Sequence, residues 1–392
     1  MPMQGVEISH FNAALKAGLI AYYDLLHMKI EEALRPISAY GKKDTLGMDS
    51  GPEITICEEL AHYDSGAAVI TEEIGSRLSF SYSDLLRFMK HITVFIIDPT
   101  DRSNQLKAFL RLFTNKKMEI GEIIRNPETI KKWEKSCGSP AAITGATSAI
   151  SCVRKGLPIF TVIINYITQQ LMISCAAGNR ILDLPESRPD KMIDLDFILK
   201  NGKSFSFPII NSRLNNQDNM QKFVTFLGDT GKAGYEENFV ASGFIPKEEM
   251  NKFIHYGKPG GPSRALYLSS LQPKKKPVGF VLANGEKIGE WIHWLTFLRF
   301  AKSDTDDSQP ALVLYEISQN NPWTKEGILM STPPNYSIFK EHNGLFYIDT
   351  NQLLQMPNPS KLRGTLMLAN KDNRWAKRYS RQLGYREIVF DK

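Results

Sequence analysis

The stretch ITVFIIDPTDRS, residues 92–103, decides the fold that the sequence predicts. Its first six residues are apolar or β-branched, which predicts a buried strand ending at Asp98. Asp98 and Asp101 then leave that strand with a proline between them, in a pattern typical of a tight loop. Residues 105–113 predict a helix that begins just after this loop. The two aspartates therefore stand at a junction between a strand and a helix.

A second acidic pair closes an earlier apolar run. Glu72 and Glu73 follow residues 67–71, which predict another strand. Mg²⁺ prefers oxygen ligands and usually keeps water and substrate phosphate among them. Acids at two strand ends therefore predict a divalent metal site of the kind used to cleave phosphate esters. The alternative for the aspartates is an ordinary turn, in which Asp caps the backbone and Pro fixes φ.

Length and composition predict a globular chain in two parts. A chain of 392 residues exceeds the size at which one core usually stops growing. We expect an N-terminal α+β subdomain over residues 1–185 and a C-terminal α/β subdomain over residues 186–392. With 42% hydrophobic and 23% charged residues, the chain has the composition of a globular protein rather than a disordered one.

Charge, cysteine content and hydropathy limit the binding partners and the cellular compartment that the sequence predicts. The net charge of +6 is too weak to predict nucleic-acid binding without a concentrated basic patch. The four cysteines are scattered and form no CxxC motif, which predicts neither a zinc site nor a disulfide framework. The sequence shows no signal peptide and no uncharged segment long enough to span a membrane. We therefore expect a cytoplasmic protein with no membrane or nucleic-acid partner.

Beyond the acidic loops, the pattern changes along the chain. An amphipathic helix is predicted from Ser9 to Pro36, followed by a polar segment over residues 39–52 and a short helix over residues 53–62. Residues 141–176 predict a meander of antiparallel strands. After residue 194, strands and helices alternate, which favours an α/β layer. Further strands are predicted at residues 204–210, 265–269, 279–283, 311–317, 345–348 and 365–369. Further helices are predicted at residues 247–255, 288–300 and 373–383.

The acidic loops resemble a known family. Residues 98–103 resemble the Asp-Pro-[Ile/Leu]-Asp-Gly-[Thr/Ser] motif of the inositol monophosphatase superfamily, which also contains fructose bisphosphatases and nucleotide bisphosphate phosphatases. The pair Glu72-Glu73 and the upstream Asp49 stand where that family has its other acids. Residues 175–178, 263–267 and 364–370 are similar to later strands of the family, more weakly. The resemblance implies a layered α-β-α-β-α sandwich.

The resemblance also implies a role for each matching residue. The implied cofactor is Mg²⁺, with Mn²⁺ as its alternative, and the implied assembly is a homodimer. The implied metal ligands are Glu72, Asp98, Asp101 and the carbonyl of Thr100, with Glu73 supporting them. Asp49 and Ser103 would polarise the attacking water, and Arg102 and Ser103 would contact the phosphate.

Two positions depart from the family's pattern. Arg102 stands where the family has a glycine, which permits close backbone approach and unusual φ. Arginine there would either obstruct the phosphate or bind it with a bidentate guanidinium. Ile292 stands where the family has a metal-binding aspartate, and isoleucine cannot ligate. Glu290 and His293 are the nearby alternatives, although His293 is more typical of a packed helix residue.

Three functions follow from these observations. The first is a Mg²⁺-dependent phosphomonoesterase acting on a small phosphorylated polyol, sugar or nucleotide. The second is a catalytically impaired relative that binds a phosphorylated ligand or regulates another process, as Arg102 and Ile292 suggest. The third, a nucleic-acid-binding module, has only the net charge in its favour.

Overall fold

We analysed a computed structural model of the chain, which describes the two sheets and the helices of the first half. The described residues are 3, 5–37, 45–64, 66–71, 75–76, 93–137, 141, 145–154, 157–189, 193–204, 224–228, 254–257, 280–283, 293, 296, 300, 311–314, 345–349, 365–369 and 386–387. None of the helices in these ranges combines the length and the apolar character that crossing a bilayer requires.

The chain begins with three helices, α1 (Gly5–His27), α2 (Ile30–Ala33) and α3 (Gly47–Tyr63). The apolar stripe predicted for the first helix is buried in α1. The helix starts earlier than predicted and ends at His27 rather than continuing to Pro36. Residues 28–30 leave the helix because their backbone pairs with another segment: the Met28 carbonyl accepts from Ile120 N–H and the Ile30 N–H donates to Met118, both at 3.0 Å.

The first sheet has eight strands in the order β2-β1-β3-β4-β5-β6-β7-β8. The strands are β1 (Ala68–Thr71), β2 (Gly75–Ser76), β3 (Thr93–Asp101), β4 (Thr147–Arg154), β5 (Leu157–Asn165), β6 (Gln170–Cys175), β7 (Gly178–Asp183) and β8 (Lys203–Ser204). Strands β3 to β8 are antiparallel neighbours, so the predicted meander is confirmed. Strands β1 and β3 run parallel, which brings their carboxyl ends to the same edge.

Helix α1 covers one face of this sheet. A Cβ on Gly18 would meet the side chains of Ile150 and Ile164 at 3.3 and 3.5 Å, so the helix lies against those two residues. Phe11 adds an edge-to-face contact with Phe160, with ring centroids 5.2 Å apart. Apolar burial of this kind contributes about 25 cal/mol per Å² of area removed from water.

The opposite face of the sheet is covered by a helix from the second half of the chain. Residues 293, 296 and 300 are helical, which agrees with the helix predicted over residues 288–300. Ser151 alternates with Ile150 along β4 and therefore points away from α1. Its Oγ lies 2.6 Å from His293 Nδ1, and Ser174 Oγ donates to the Thr296 carbonyl at 3.2 Å. Helix, sheet and helix thus form successive layers, which confirms a layered α+β fold.

The second sheet has seven strands in the order β10-β9-β11-β12-β14-β13-β15. The strands are β9 (Val224–Gly228), β10 (Ile254–Gly257), β11 (Phe280–Ala283), β12 (Ala311–Leu314), β13 (Leu345–Asp349), β14 (Thr365–Ala369) and β15 (Arg386–Glu387). Strands β12 and β14 are antiparallel, and the other neighbours are parallel. The strands predicted near residues 279, 311, 345 and 365 are therefore confirmed at their cores.

One prediction in this half is wrong where it meets the described residues. The helix predicted over residues 247–255 ends inside β10, where residues 254–257 pair in parallel with β9. The register of that pairing joins residues far apart in sequence, and it overrides the local helical pattern. Residues 247–253, the strand predicted at 265–269 and the helix predicted at 373–383 lie outside the described residues. The division at residues 185 and 186 stays a prediction.

The remaining helices are α4 (Ser103–Leu110), α5 (Ile120–Ile124), α6 (Pro127–Cys137) and α7 (Leu195–Asn201). Helix α4 begins two residues after Asp101, so the predicted junction between strand and helix is present. The structure therefore places the acidic loop at the carboxyl end of β3, next to the end of β1.

Candidate functional site

The candidate site lies where the parallel strands β1 and β3 end. Thr71, the last residue of β1, pairs with Ile97 of β3. Asp98 follows directly, and its side chain is fully buried. Thr71 is also the residue before Glu72, so the chain leaves β1 beside the acidic loop. Glu72 and Glu73 themselves lie outside the described residues, and their predicted roles stay predictions.

A bulge in β3 shapes the loop that carries the aspartates. Asp98 pairs with Ala149 and Asp101 pairs with Thr147, so three steps along β3 match two steps along β4. Such a bulge leaves an extra residue outside the ladder and redirects side chains. Pro99 suits this position because it has no N–H to donate to the ladder. Its carbonyl accepts a hydrogen bond from the hydroxyl of Tyr166 at 2.9 Å.

Thr100 ties the bulge to helix α3. Its Oγ1 donates to the carbonyl of Met48 at 2.8 Å. In a regular helix that carbonyl would accept from the N–H four residues later, which here belongs to Pro52 and does not exist. Pro52 therefore leaves the Met48 carbonyl available to Thr100. This hydrogen bond places the first turn of α3 against the acidic loop.

Asp49 occupies the first turn of α3, not the polar loop that the sequence suggested before a helix at residue 53. Its Oδ2 accepts from the N–H of the N-cap residue Leu46 at 2.9 Å, which satisfies one backbone donor at the helix start. The residue is 4% exposed. Because Met48 contacts Thr100, Asp49 lies in the helical turn that adjoins the loop. The structure thus brings Asp49 to the predicted site, where one of its carboxylate oxygens stabilises the start of α3.

The sequence interpretation overlooked Glu53 as a site residue. Glu53 follows Asp49 by four residues, so both lie on one face of α3. Its side chain is fully buried on the helix face that packs against the core. Charged carboxylates are almost never fully buried unless a cation or hydrogen-bond donors compensate them. The four-residue spacing between Asp49 and Glu53 was the signal available in the sequence. It places both side chains on one helix face because α3 starts before Asp49.

Arg102 joins the bulge to helix α4 in a left-handed conformation. Its φ is 66° and its ψ is 30°, values that favour glycine. The backbone thus keeps the unusual conformation expected at this position, although the residue is arginine. The side chain is buried, with 9% exposure. Its carbonyl accepts from the N–H groups of Gln105 and Leu106, so Ser103 and Asn104 supply the outermost N–H groups of α4.

Tyr166 reports that two of the acids lie close together. Burial raises the pKa of this phenol, and the negative charges of Asp98 and Asp49 raise it further. Hydrogen bonds with Ser148 and Thr100 oppose that shift only in part. Both carboxylates therefore act on one ring. Tyr166 stays a neutral donor to the Pro99 carbonyl over the physiological pH range.

His293 belongs to a different environment. It is fully buried on the far face of the sheet, where Ser151 Oγ contacts both its Nδ1 and, at 2.5 Å, Thr161 Oγ1. Burial lowers the pKa of His293 to about 3, so the imidazole is neutral. The interpretation of His293 as a packed helix residue is confirmed. Glu290 and Ile292 lie outside the described residues.

The donors at the loop fit a hard divalent cation. Asp98, Asp101 and a backbone carbonyl from the bulge offer oxygen ligands of the kind Mg²⁺ and Mn²⁺ accept. Within the described ranges, no group of three or more His, Cys, Asp or Glu side chains stands ready to hold a metal. The donor set that the structure describes is thus two aspartates with backbone oxygen, and Glu72 stays the predicted source of a further carboxylate.

Comparison with known proteins gives matches only among solved structures. No protein-family profile matches this chain, and no curated protein matches its sequence. CysQ from Bacteroides thetaiotaomicron, a bacterial member of the inositol monophosphatase family, is 14% identical with a TM-score of 0.45, over 79% of this chain and 92% of that one. The extragenic suppressor protein SuhB from Bartonella henselae is 14% identical with a TM-score of 0.41, over 91% of this chain and 100% of that one.

A third similar structure is the inositol monophosphatase from Anabaena (Nostoc) sp. PCC 7120. It is 12% identical with a TM-score of 0.41, over 76% of this chain and 85% of that one. The similar structures thus include members of the family that the acidic motif resembles, at low sequence identity.

Proposed function

We propose that the protein is a Mg²⁺-dependent phosphomonoesterase that hydrolyses a small phosphorylated polyol, sugar or nucleotide. The observation that carries the proposal is the bulged end of β3, which presents buried Asp98 and partly exposed Asp101 directly before the first turn of α4. Acids that hold a cation beside free helix N–H groups suit a phosphate ester, because both features favour its negative charge.

The residues at the loop would have the following roles. Asp98, Asp101 and the Thr100 carbonyl would hold the metal, with Glu72 completing the set. The bound metal would supply Lewis-acid stabilisation of the phosphoryl oxygens and lower the pKa of a coordinated water. The N–H groups of Ser103 and Asn104 would orient the phosphate, and Arg102 would add positive charge beside it.

Asp49 and Ser103 would act on the attacking water. Asp49 has its Oδ2 engaged by the Leu46 N–H, so the water would be held through Oδ1. Ser103 is the first residue of α4 and is half-buried, so its hydroxyl would be available at the start of the helix. Glu53 and Glu73 would support the metal ligands from behind. The phosphorylated metabolite is the only partner that this arrangement requires.

The proposal is tested by phosphate release from a panel of phosphorylated polyols, sugars and nucleotides, with Mg²⁺ or Mn²⁺ and with EDTA. Wild type should release phosphate only with metal, and Asp98→Asn should lose at least about a hundredfold of that activity. Asp24→Asn is the matched control, because Asp24 is an exposed aspartate on α1. Equal activity of Asp98→Asn and wild type would refute the proposal.

The second candidate is a catalytically impaired relative that binds a phosphorylated ligand. The buried Arg102 in the glycine-like conformation favours it, because a bulky cationic side chain stands at a position where the family has none. It predicts saturable binding of a phosphorylated compound with no phosphate release from any member of the panel. Turnover by wild type would exclude this candidate.

A further inference from the structure

Tyr166 is a fully buried residue that directly follows β5. Its N–H donates to the carbonyl of Ala146 at 2.8 Å, one residue beyond the paired ends of β4 and β5. Its ring stacks on the ring of Tyr22 from α1, with centroids 6.0 Å apart and an angle of 7° between the planes. The backbone bond and the ring stack together fix where the phenol hydroxyl lies.

That hydroxyl contacts the bulge of β3. The register of β3 with β4 passes directly from Asp98 to Asp101. Pro99 lies in this irregular step, where a bulge disrupts the ladder and backbone polar groups need other partners. The Tyr166 hydroxyl is such a partner, because it donates to the Pro99 carbonyl at 2.9 Å. A side chain from the end of β5 thus holds the backbone of the bulge.

The peptide between Pro99 and Thr100 is anchored at both of its residues. Tyr166 holds the Pro99 carbonyl, and the Thr100 hydroxyl donates to the carbonyl of Met48 at 2.8 Å. The candidate metal ligands Asp98 and Asp101 flank this anchored segment. Mg²⁺ demands near-ideal octahedral geometry, so its ligands have to converge closely on one point. The orientation of the anchored peptide therefore affects whether the flanking oxygens can converge.

The surroundings of the phenol connect it to the rest of the site. Ser148 is 2% exposed, hydrogen-bonds with Tyr166 and lies opposite the bulge on β4. The negative charges of Asp98 and Asp49 both act on the phenol. The Tyr166 hydroxyl is thus a neutral donor that links β4, β5 and the bulge beside two acids.

We infer that Tyr166 is a positioning residue of the acidic loop. Its hydroxyl holds the Pro99 carbonyl so that the oxygen ligands on either side of it converge on one divalent cation. The role requires no contact between Tyr166 and the metal or the substrate. The inference rests on the proposed function in assigning the metal to this loop, and it does not require turnover.

The experiment compares Tyr166→Phe with Tyr23→Phe in the full chain. Tyr23 is a matched control because its buried hydroxyl also donates to a proline carbonyl, that of Pro185, at 3.0 Å. Each substitution removes one such hydrogen bond and keeps the ring, so the two melting temperatures in EDTA should agree within about 2 °C. Mn²⁺ affinity, measured by titration calorimetry, should fall at least about tenfold in Tyr166→Phe and stay within about twofold of wild type in Tyr23→Phe.

Two further variants separate positioning from packing. Tyr22→Phe keeps the ring stack and removes a buried hydroxyl that has no hydrogen-bond partner in the described part of the chain, so Mn²⁺ affinity should not change. Ser148→Ala leaves Tyr166 in place and removes a hydrogen-bond partner of its hydroxyl. It should weaken Mn²⁺ binding in wild type but add little in the Tyr166→Phe background, because the two hydroxyls act as one unit.

The inference is overturned if Tyr166→Phe binds Mn²⁺ as tightly as wild type, or if Tyr23→Phe loses as much affinity. It is also overturned if the effects of Ser148→Ala and Tyr166→Phe are fully additive, or if wild type binds no Mn²⁺.

Failure of the proposed function looks different. If wild type releases no phosphate while Tyr166→Phe alone among the tyrosine variants loses Mn²⁺ affinity, the phosphatase proposal fails and the positioning role remains. If wild type releases phosphate and all the variants share its Mn²⁺ affinity, the phosphatase proposal stands and the positioning role fails.

Discussion

Two buried polar clusters of the first sheet differ in the charge they carry. The acidic cluster at the carboxyl end of β3 comprises Asp98 and Asp101, with buried Asp49 in the adjoining first turn of α3. The neutral cluster on the face away from α1 consists of Ser151, Thr161 and a neutral His293. Hydroxyls and a neutral imidazole need no counter-charge when they are buried, whereas buried carboxylates require cations or hydrogen-bond donors to compensate their charge.

This difference separates function from structure within a single sheet. The neutral cluster joins elements 142 residues apart and holds a helix on the sheet, which is a packing task. The acidic cluster concentrates carboxylates whose burial has to be compensated by cations or hydrogen-bond donors, which is common at binding sites. The predictions below distinguish the two clusters by whether a substitution changes phosphate release or the free energy of unfolding.

After Asp98→Asn, the largest effect on phosphate release is expected from Glu53→Gln. If Glu53 supports the metal ligands, the substitution should lower metal-dependent phosphate release about 10–100-fold, the usual cost of losing an outer-shell carboxylate. Gln is close in size, so the melting temperature should change little. Activity per folded molecule and thermal melting are measured together, and Glu58→Gln on the exposed face of α3 is the control. Unchanged activity would remove Glu53 from the site.

His293→Leu should change stability and leave turnover alone. The substitution removes one partner of Ser151 while the bond to Thr161 remains, at a cost of about 1–3 kcal/mol in unfolding free energy. The pKa of His293 is lowered to about 3 by burial, so the unfolded chain binds a proton that the folded chain excludes. Wild-type stability should therefore fall as the pH drops from about 6.5 toward 3.

The His293→Leu variant should lose the part of the pH dependence of stability that arises from His293. Urea unfolding of wild type and His293→Leu at several pH values measures the slope directly. A slope that persists in the variant would show that other groups cause it, and a loss of phosphate release per folded molecule would place His293 in the acidic cluster's function.

Thr100→Val tests the contact between the bulge and α3. The variant lacks the hydroxyl that donates to the Met48 carbonyl, which Pro52 leaves without its usual donor. Removing it should cost about 1 kcal/mol of unfolding free energy. Because Asp49 lies next to Met48, phosphate release should fall more than stability alone explains. Pro52→Ala supplies the missing N–H, so adding it to Thr100→Val should restore stability without restoring activity.

These contacts show why only part of the molecule could be predicted from its sequence. Apolar runs predict buried strands such as β3 and β5. The loop after β3 has a local signature in its acidic residues and its proline. The early start of α3 has no such local signature. The proline inside the helix is tolerated because the Met48 carbonyl accepts a hydrogen bond from Thr100, 52 residues further along the chain. Strand β10 was likewise mistaken for a helix end because its partner is distant. Ile292, which stands where the resemblance expects a metal-binding aspartate, lies outside the described residues.

The smallest effect concerns Asp64, which pairs with His10. Burial would raise the pKa of Asp64, but hydrogen bonds from His10 and from the N–H groups of Gly66 and Ala67 lower it below 3.8. A lowered pKa contributes stability that is present above about pH 4 and is lost as the pH falls through the folded-state pKa. The pair is a third exposed on the Asp64 side, so we expect less than about 1 kcal/mol.

Asp64→Asn should thus be slightly less stable than wild type at pH 6, and the difference should vanish at the acid end. Chemical denaturation at both pH values measures it. A difference that grows in acid would contradict the assignment.

The most direct test of the central claim is the Mn²⁺ binding isotherm of wild type and Asp98→Asn. If the acidic cluster is the metal site, wild type binds Mn²⁺ with saturation and Asp98→Asn binds at least about tenfold more weakly, because a buried ligand charge is gone. His293→Leu should match wild type in the same titration. Equal Mn²⁺ affinity in wild type and Asp98→Asn would contradict the account.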